Sequence, residues 1–136
     1  RAGADAIGAT CEIKDMPGYL PMEQDKALGK ICEANADAIF GKDHVETNPP
    51  FNAGSTDVGD ICNLMPCIHP HVGCVHSAEF ELFQKQAAYI KTTKVMAMTV
   101  IDLLYDNAAG LEDILKDYKP RMTKEQYLAY MDSLRS

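Results

Sequence analysis

The chain has 136 residues, 46% of them hydrophobic, and its 20 acidic against 13 basic side chains leave a net charge of −7. This length and apolar content fit one domain's worth of core and exclude an intrinsically disordered chain. The acidic balance argues against nucleic acid or an anionic membrane surface as a partner, because both attract basic surfaces. No apolar stretch approaches the roughly 20 residues that a membrane-spanning helix needs.

The N-terminal residues and the cysteines indicate the origin and the setting of the chain. The sequence opens at Arg1 without a methionine and continues as if a helix were already under way, so we expect a piece of a longer protein. Five cysteines are an odd number and form no C-x-x-C pair. This usage favours reduced thiols and a cytoplasmic location over a secreted disulfide framework.

The first third of the chain is predicted to alternate between helices and short strands. Apolar spacing predicts a short helix over residues 1–9, a strand over 10–16 and a helix over 25–40. Gly41 stands where a left-handed C-terminal cap belongs. A further short strand is expected at 44–47.

The middle of the chain is richer in turn-forming residues. A loop is expected through residues 48–55, followed by one or two helical turns over 58–65 that Pro66 ends. Residues 67–75 have the pattern of a strand, and a loop is expected around 80–86.

Helices dominate the last third. They are predicted over 92–105, with an apolar stripe that contains Met96, Val100 and Leu104, and over 111–118. Thr123 and Gln126 form a capping box that opens a last helix. The whole pattern is α/β, helix-rich with few short strands, and holds too few strands for a complete sheet.

The densest group of reactive side chains runs from Cys62 to His76. In a strand, Cys67, His69 and His71 would face one way, because side chains alternate. Zinc takes Cys and His ligands, and a structural site needs four of them. One interpretation is therefore a local zinc site that includes Cys74; the other interpretations are a histidine that serves a larger site and residues that bind no metal.

The loop Gly54-Ser55-Thr56-Asp57 also carries possible chemistry. Its polar side chains can cap a following helical turn, whose N–H groups would then favour an anion. A helix cap with no further role is the plainer interpretation. The loop is not a nucleotide phosphate loop, because no Gly-Lys-Ser/Thr follows it.

Nucleophilic catalysis has little support in the sequence. Ser55 lacks a G-x-S-x-G context, and no cysteine has neighbours typical of a thiol nucleophile. Glu79 and Glu81 follow His76 closely, so either carboxylate is a candidate for orienting its ring or is simply a solvated charge.

Three segments, in this order, carry a resemblance to a known family: residues 12–21 (EIKDMPGYLP), residues 54–60 (GSTDVGD) and the pair His76-Ser77. Together they resemble the C-terminal part of the M20 metallopeptidases, in particular the amidohydrolases that include aminobenzoyl-glutamate hydrolases and related aminoacylases. The resemblance covers nearly the whole chain. The GSTDVGD loop and the later His-Ser pair are its more specific parts.

The resemblance implies a fold and a division into domains. Family members have an α/β catalytic domain interrupted by a smaller lid or dimerisation domain. Residues 1–20 would then end the lid domain, and residues 21–136 would form the C-terminal half of a three-layer αβα zinc-peptidase-like catalytic domain.

The resemblance also implies a chemistry and the residues that take part in it. One or two divalent ions, zinc or manganese, would polarise an amide carbonyl and activate a water molecule. His76 matches the one metal ligand of this half, and Gly54, Ser55, Thr56 and Asp57 would bind the substrate, a small amide or dipeptide. The general-base glutamate and the other metal ligands belong to the other half, so this chain alone should be inert.

Two further expectations concern the assembly of the chain and an alternative function. A half-domain leaves apolar surface uncovered, so we expect the chain to form homo-oligomers. The alternative to an amidohydrolase part is a non-catalytic zinc-binding or interaction module that uses the cluster between Cys67 and His76.

Overall fold

A computed structural model describes residues 1–48, 54, 56–76 and 81–134, with the backbone alone for Val75 and His76. Helices account for most of the ordered structure. The elements in chain order are α1 (Ala2–Asp5), α2 (Lys26–Phe40), α3 (Val58–Cys62), β1 (Val75–His76), β2 (Glu81–Leu82), α4 (Thr92–Asp117) and α5 (Lys124–Ser133). A 3-10 turn at Lys42–His44 follows α2, and a π-helical turn at Gln86–Lys91 leads into α4.

Helix α2 has the boundaries that its sequence predicts. The Asp25 carboxylate accepts a hydrogen bond from the Leu28 N–H at 2.8 Å and so caps the first turn. The helix ends at Gly41, where φ is 88° and ψ is 144°. Gly41 therefore has the expected positive φ but not the left-handed helical ψ, in a region of backbone space that is open almost only to glycine.

The packing of α2 against α4 forms the main interior contact. Cys32 of α2 and Val95 of α4 are buried. The buried Asn35 amide donates to the Asp102 carboxylate at 2.7 Å and lies 3.4 Å from the Thr99 hydroxyl. This polar link fixes the register of the two helices, because a buried amide without partners would be costly.

Helix α4 consists of two helical halves, as the sequence predicts. Asp106, Asn107 and Ala108 have positive φ, and the helical geometry is interrupted from Tyr105 to Ala108. The break brings the second half close to the first. A Cβ on Gly110 would lie 2.6 Å from the Asp102 carbonyl oxygen, so only glycine fits there.

The capping box predicted for α5 is confirmed. The Thr123 hydroxyl accepts from the Gln126 N–H at 3.2 Å, and the Gln126 side-chain oxygen accepts from the Thr123 N–H at 2.8 Å. Two N–H groups at the start of the helix are thereby satisfied.

Substituting Thr123→Ala should lower the free energy of unfolding by about 1 kcal/mol, because this substitution removes the cap. The matched control is Thr93→Ala, whose hydroxyl donates to the Tyr89 carbonyl within a helix and whose replacement should be neutral or slightly stabilising. Urea denaturation followed by circular dichroism compares the two variants. Equal losses in both would contradict a capping role for Thr123.

The predicted strands are mostly wrong. Residues 10–16 are exposed and pair with no strand in the described chain, and a 3-10 turn stands at 42–44 where a strand was expected from 44. Of the strand predicted at 67–75, only Val75 is in β1, which continues to His76 and pairs antiparallel with β2. β2 itself lies in the loop expected around 80–86. A strand needs a partner, and the described residues supply one two-stranded ribbon rather than a three-layer fold.

The chain exposes far more surface than a compact domain of its mass. Its accessible area is 10754 Å², whereas a compact monomer of 14.9 kDa would expose about 7,000 Å². The expected core stripe of the first half of α4 is exposed, because α4 meets α2 through a different face. Three residues of this stripe are exposed, Met96 (58%), Val100 (51%) and Leu104 (58%), whereas Leu103 is half-buried. In the described part of the chain, no helix is long and apolar enough to cross a membrane.

Candidate functional site

The turn that enters α3 is held by Thr56. Its hydroxyl lies 3.4 Å from the Val58 N–H, from which it accepts, and donates to the Asp57 carboxylate at 3.2 Å. The Gly59 N–H donates to the Thr56 carbonyl at 3.0 Å. The Asp57 side chain makes no capping hydrogen bond with α3, and its carboxylate is exposed to solvent apart from the bond that it accepts from Thr56.

Residues 20–22 pack directly on α3. The Leu20 N–H donates to the Asp60 carboxylate at 2.9 Å, and the Asn63 amide donates to the Pro21 carbonyl at 3.3 Å. A Cβ on Gly59 would lie 1.9 Å from the Leu20 carbonyl oxygen. Two of the three segments that carry the family resemblance, 12–21 and 54–60, therefore touch in the fold, and the glycine makes the contact possible.

The four predicted substrate-binding residues have different outcomes. Gly54 and Asp57 are exposed, and Thr56 is half-buried. Ser55 lies outside the described residues. Asp57 and Thr56 lie at the N-terminal end of α3, but this helix has only five residues and its end is not by itself an anion site.

For His76, the predicted metal ligand, the structure describes the position of the backbone. It lies in β1, and its cross-strand partner is Glu81 of β2. Directly opposite residues in an antiparallel pair are neighbours along the two backbones, so the backbone of Glu81, one of the two candidate carboxylates, lies opposite that of His76. Ser77 and Glu79 lie outside the described residues.

Of the cysteines and histidines before β1, two histidines lie side by side. The rings of His69 and His71 touch, with centroids 4.5 Å apart and planes inclined by 55°. The His69 backbone N–H donates to the Gln24 side-chain oxygen at 2.6 Å. The His69 Nδ1 is buried and has no hydrogen-bond partner among the described residues. Among the described side chains, no three of His, Cys, Asp and Glu come together in a way that would hold a metal ion.

A cavity that the sequence did not indicate lies beside the start of α2. Its volume is about 470 Å³, and its walls come from the start of α2, the loop after α3 and the end of α4. The Asp25 N–H donates to the Cys67 carbonyl at 2.9 Å, and the Met122 N–H donates to the Asn63 carbonyl at 3.2 Å. These two hydrogen bonds connect the segments that surround the cavity. Arg121 and Glu23 form an ion pair at the rim.

Two titratable groups of this cavity have shifted pKa values. Burial, followed by the neighbouring Cys67 thiol, raises the pKa of Cys62 to about 11. Burial, followed by the negative charge of Asp25, raises the pKa of Tyr118. Both groups are therefore neutral at physiological pH. Cys62 and Cys67 have four residues between them in the sequence, and this spacing does not indicate a cavity.

Comparison with known proteins finds two similar dipeptidases. Xaa-Arg dipeptidase of Homo sapiens is 30% identical over 140 aligned residues, which cover 94% of this chain and 32% of the human protein. Xaa-Arg dipeptidase of Mus musculus is 29% identical with the same coverage. The chain thus spans about a third of the length of these relatives. No protein-family model matches the chain, and no solved structure matches it.

Proposed function

We propose that this chain is the C-terminal part of an M20-type metal-dependent amidohydrolase that cleaves the amide bond of small peptides or N-acyl amino acids. One observation carries the proposal: the three segments that resemble this family occur in order within a chain that aligns over 94% of its length with dipeptidases. The contact between residues 20–22 and α3 supports it, because it joins two of those segments.

The substrate class follows from the relatives and from the turn at α3. The relatives are named for dipeptides with a C-terminal arginine, and such a dipeptide is the first substrate to test. In this proposal Gly54, Ser55, Thr56 and Asp57 bind the peptide or carboxylate groups of the substrate. The net charge of −7 favours a cationic substrate over long range.

The zinc or manganese ions of the proposed enzyme need more ligands than the described residues offer. A catalytic zinc needs three protein ligands and an open position, and the described residues hold no group of three. The described part of the chain therefore does not form a complete metal site. His76 would contribute one ligand to the site of the longer enzyme, and the chain alone would be inert.

The proposal extends to location and assembly. Five cysteines without a disulfide support a cytoplasmic enzyme. The large accessible area and the exposed stripe on α4 support association, either with the rest of the longer protein or between copies of this chain.

The proposal is tested by restoring the upstream coding sequence. We expect the longer protein, loaded with zinc or manganese, to hydrolyse Xaa-Arg dipeptides, N-acyl amino acids or aminobenzoyl-glutamate. His76→Ala should lower kcat/KM by about a hundredfold or more, because removing a ligand weakens the metal site. The matched control is His44→Ala, an exposed histidine of the 3-10 turn, which should keep full activity. Unchanged activity in His76→Ala, or hydrolysis by the chain alone, would overturn the assignment.

A second candidate is a non-catalytic zinc-binding module that uses the cluster between Cys67 and His76; the His69 and His71 rings are neighbours, although the described side chains form no group of three ligands. Metal analysis of the isolated chain separates the two. Stoichiometric zinc that is lost in Cys74→Ser but kept in His76→Ala would favour the module, and the absence of bound zinc would exclude it.

A further inference from the structure

Two cysteines, Cys62 and Cys67, line the cavity beside α2. We propose that Cys62 and Cys67 form a redox-active dithiol. A small disulfide such as glutathione disulfide would oxidise the two thiols to an intramolecular Cys62–Cys67 disulfide bond. The proposal is independent of the amidohydrolase assignment, because neither cysteine belongs to the three segments on which that assignment rests.

The backbone on both sides of the pair is fixed by hydrogen bonds. Cys62 is the last residue of α3, and the next residue, Asn63, accepts from the Met122 N–H at 3.2 Å and donates from its side chain to the Gly59 carbonyl at 2.7 Å. Cys67 is held from the other side, because its carbonyl accepts from the Asp25 N–H at 2.9 Å. The separation of the two thiols is therefore set by the fold and not by a free loop.

Both cysteine side chains line the cavity. The neighbouring Cys67 thiol also contributes, after burial, to the raised pKa of Cys62. Cys62 is 6% exposed, whereas Cys67 is half-buried. The Cys67 thiol also makes a long contact of 3.8 Å with the Ile68 carbonyl. Of the two residues, Cys67 is therefore the more exposed to an oxidant.

The other cysteines are placed differently. Cys11 is exposed, Cys32 is buried in α2, and Cys74 is buried just before β1. None of these three lines the cavity. They serve as internal controls for selectivity.

The reaction balances as two thiol–disulfide exchanges. The Cys67 thiolate attacks one sulfur of glutathione disulfide, so that a Cys67–glutathione bond forms, the glutathione S–S bond breaks and one glutathione thiolate leaves and takes up a proton. Cys62 then loses its proton and attacks the Cys67 sulfur, which releases the second glutathione. Two cysteine thiols are oxidised by two electrons in total, and one glutathione disulfide is reduced to two glutathione molecules.

The bridge would join the end of α3 to the segment that carries His69. It would close a short ring over residues 63–66 and fix the wall of the cavity beside Asp25. Oxidation would thereby stiffen α3, which begins directly after Thr56 and Asp57.

A methionine between the two cysteines allows a direct test. Cyanogen bromide cleaves after Met65 and separates the fragments 23–65 and 66–96, which contain Cys62 and Cys67. The folded chain is incubated with glutathione disulfide, its remaining thiols are blocked with N-ethylmaleimide, and the cleaved products are analysed by mass spectrometry with and without dithiothreitol. We expect the two fragments to stay linked until they are reduced.

The variants decide which cysteines form the link. Cys62→Ser and Cys67→Ser should each abolish the linked product, whereas Cys32→Ser and Cys74→Ser should retain it. Because a serine at the buried position 62 can disturb folding, Cys67→Ala is a second variant, and circular dichroism checks that each variant is folded. A link that survives in Cys67→Ala, a link that requires Cys32 or Cys74, or a Cys67–glutathione adduct without any link would overturn the proposal.

Discussion

Replacing Gly59 by alanine is expected to lower the free energy of unfolding by about 3 kcal/mol. The new methyl group would lie 1.9 Å from the Leu20 carbonyl oxygen, which belongs to the backbone and cannot rotate away. The chain must therefore move residues 20–22 off α3. That movement breaks the bond from the Leu20 N–H to Asp60 and the bond from Asn63 to Pro21.

The matched control is Gly29→Ala in the interior of α2. A Cβ at Gly29 would meet nothing within 4 Å, so alanine should stabilise the helix by about 0.5–1 kcal/mol. Urea denaturation measures both variants, and hydrogen exchange of the Leu20 amide reports whether residues 20–22 have left α3. If Gly59→Ala and Gly29→Ala were equally stable, or if the Leu20 amide stayed protected, the close packing at Gly59 would be refuted.

The Gly59 contact also bears on the proposed function. In the longer enzyme, Gly59→Ala should disturb the turn at Thr56, because the Gly59 N–H donates to the Thr56 carbonyl. Residues proposed to bind substrate and residues that hold the fold therefore overlap at this turn. A loss of activity in such variants is informative only when stability is measured beside it.

The helices could be predicted from the sequence because their signals are local. Asp25 and Gly41 mark the ends of α2 within one turn of the helix, and Thr123 and Gln126 cap α5 over three residues. The division of α4 into two halves followed from two separate apolar patterns. Each of these features depends on residues close together in the chain.

The strands could not be predicted because a strand is defined by its partner. Residues 10–16 alternate in polarity like a half-buried strand, yet Ile13 is 56% exposed and no strand of the described chain pairs with the segment. Alternation indicates that a strand is possible but does not supply the neighbouring edge. The same reason explains why only the short pair of β1 and β2 forms in the segment rich in histidine and cysteine.

The site was predictable in part. The contact between α3 and residues 20–22 was not visible in the sequence, although both segments carry the family resemblance. The cavity was missed because its walls come from residues far apart in the chain, such as Asp25, Cys67 and Tyr118. The metal-ligand role of His76 remains a prediction from the resemblance.

The face of α4 was also misjudged, for a physical reason. When a helix has apolar residues on more than one side, its sequence does not indicate which side packs against the neighbouring helix. In α4 the packed face is the one that carries Thr99 and Asp102, because these residues accept hydrogen bonds from the buried Asn35 amide. Met96 and Val100 are consequently left exposed on another face.

Asn35→Asp should therefore lower the free energy of unfolding by about 3 kcal/mol at pH 7. The new carboxylate would take the place of an amide that donates to Asp102 at 2.7 Å and that is only 6% exposed. Two like charges would then face each other, and the amide donors would be lost.

The effect of Asn35→Asp should depend on pH in a defined direction. The neighbouring charge and the burial raise the folded-state pKa of the new carboxyl above its unfolded value. The destabilisation relative to the natural chain is therefore full above the folded-state pKa and shrinks as the pH falls below it, because one protonated carboxyl can donate to Asp102. Urea denaturation at pH 7 and pH 4 measures the change, with Asn48→Asp at an exposed position as the control. A loss of stability that is the same at both pH values would show that the two side chains do not face each other.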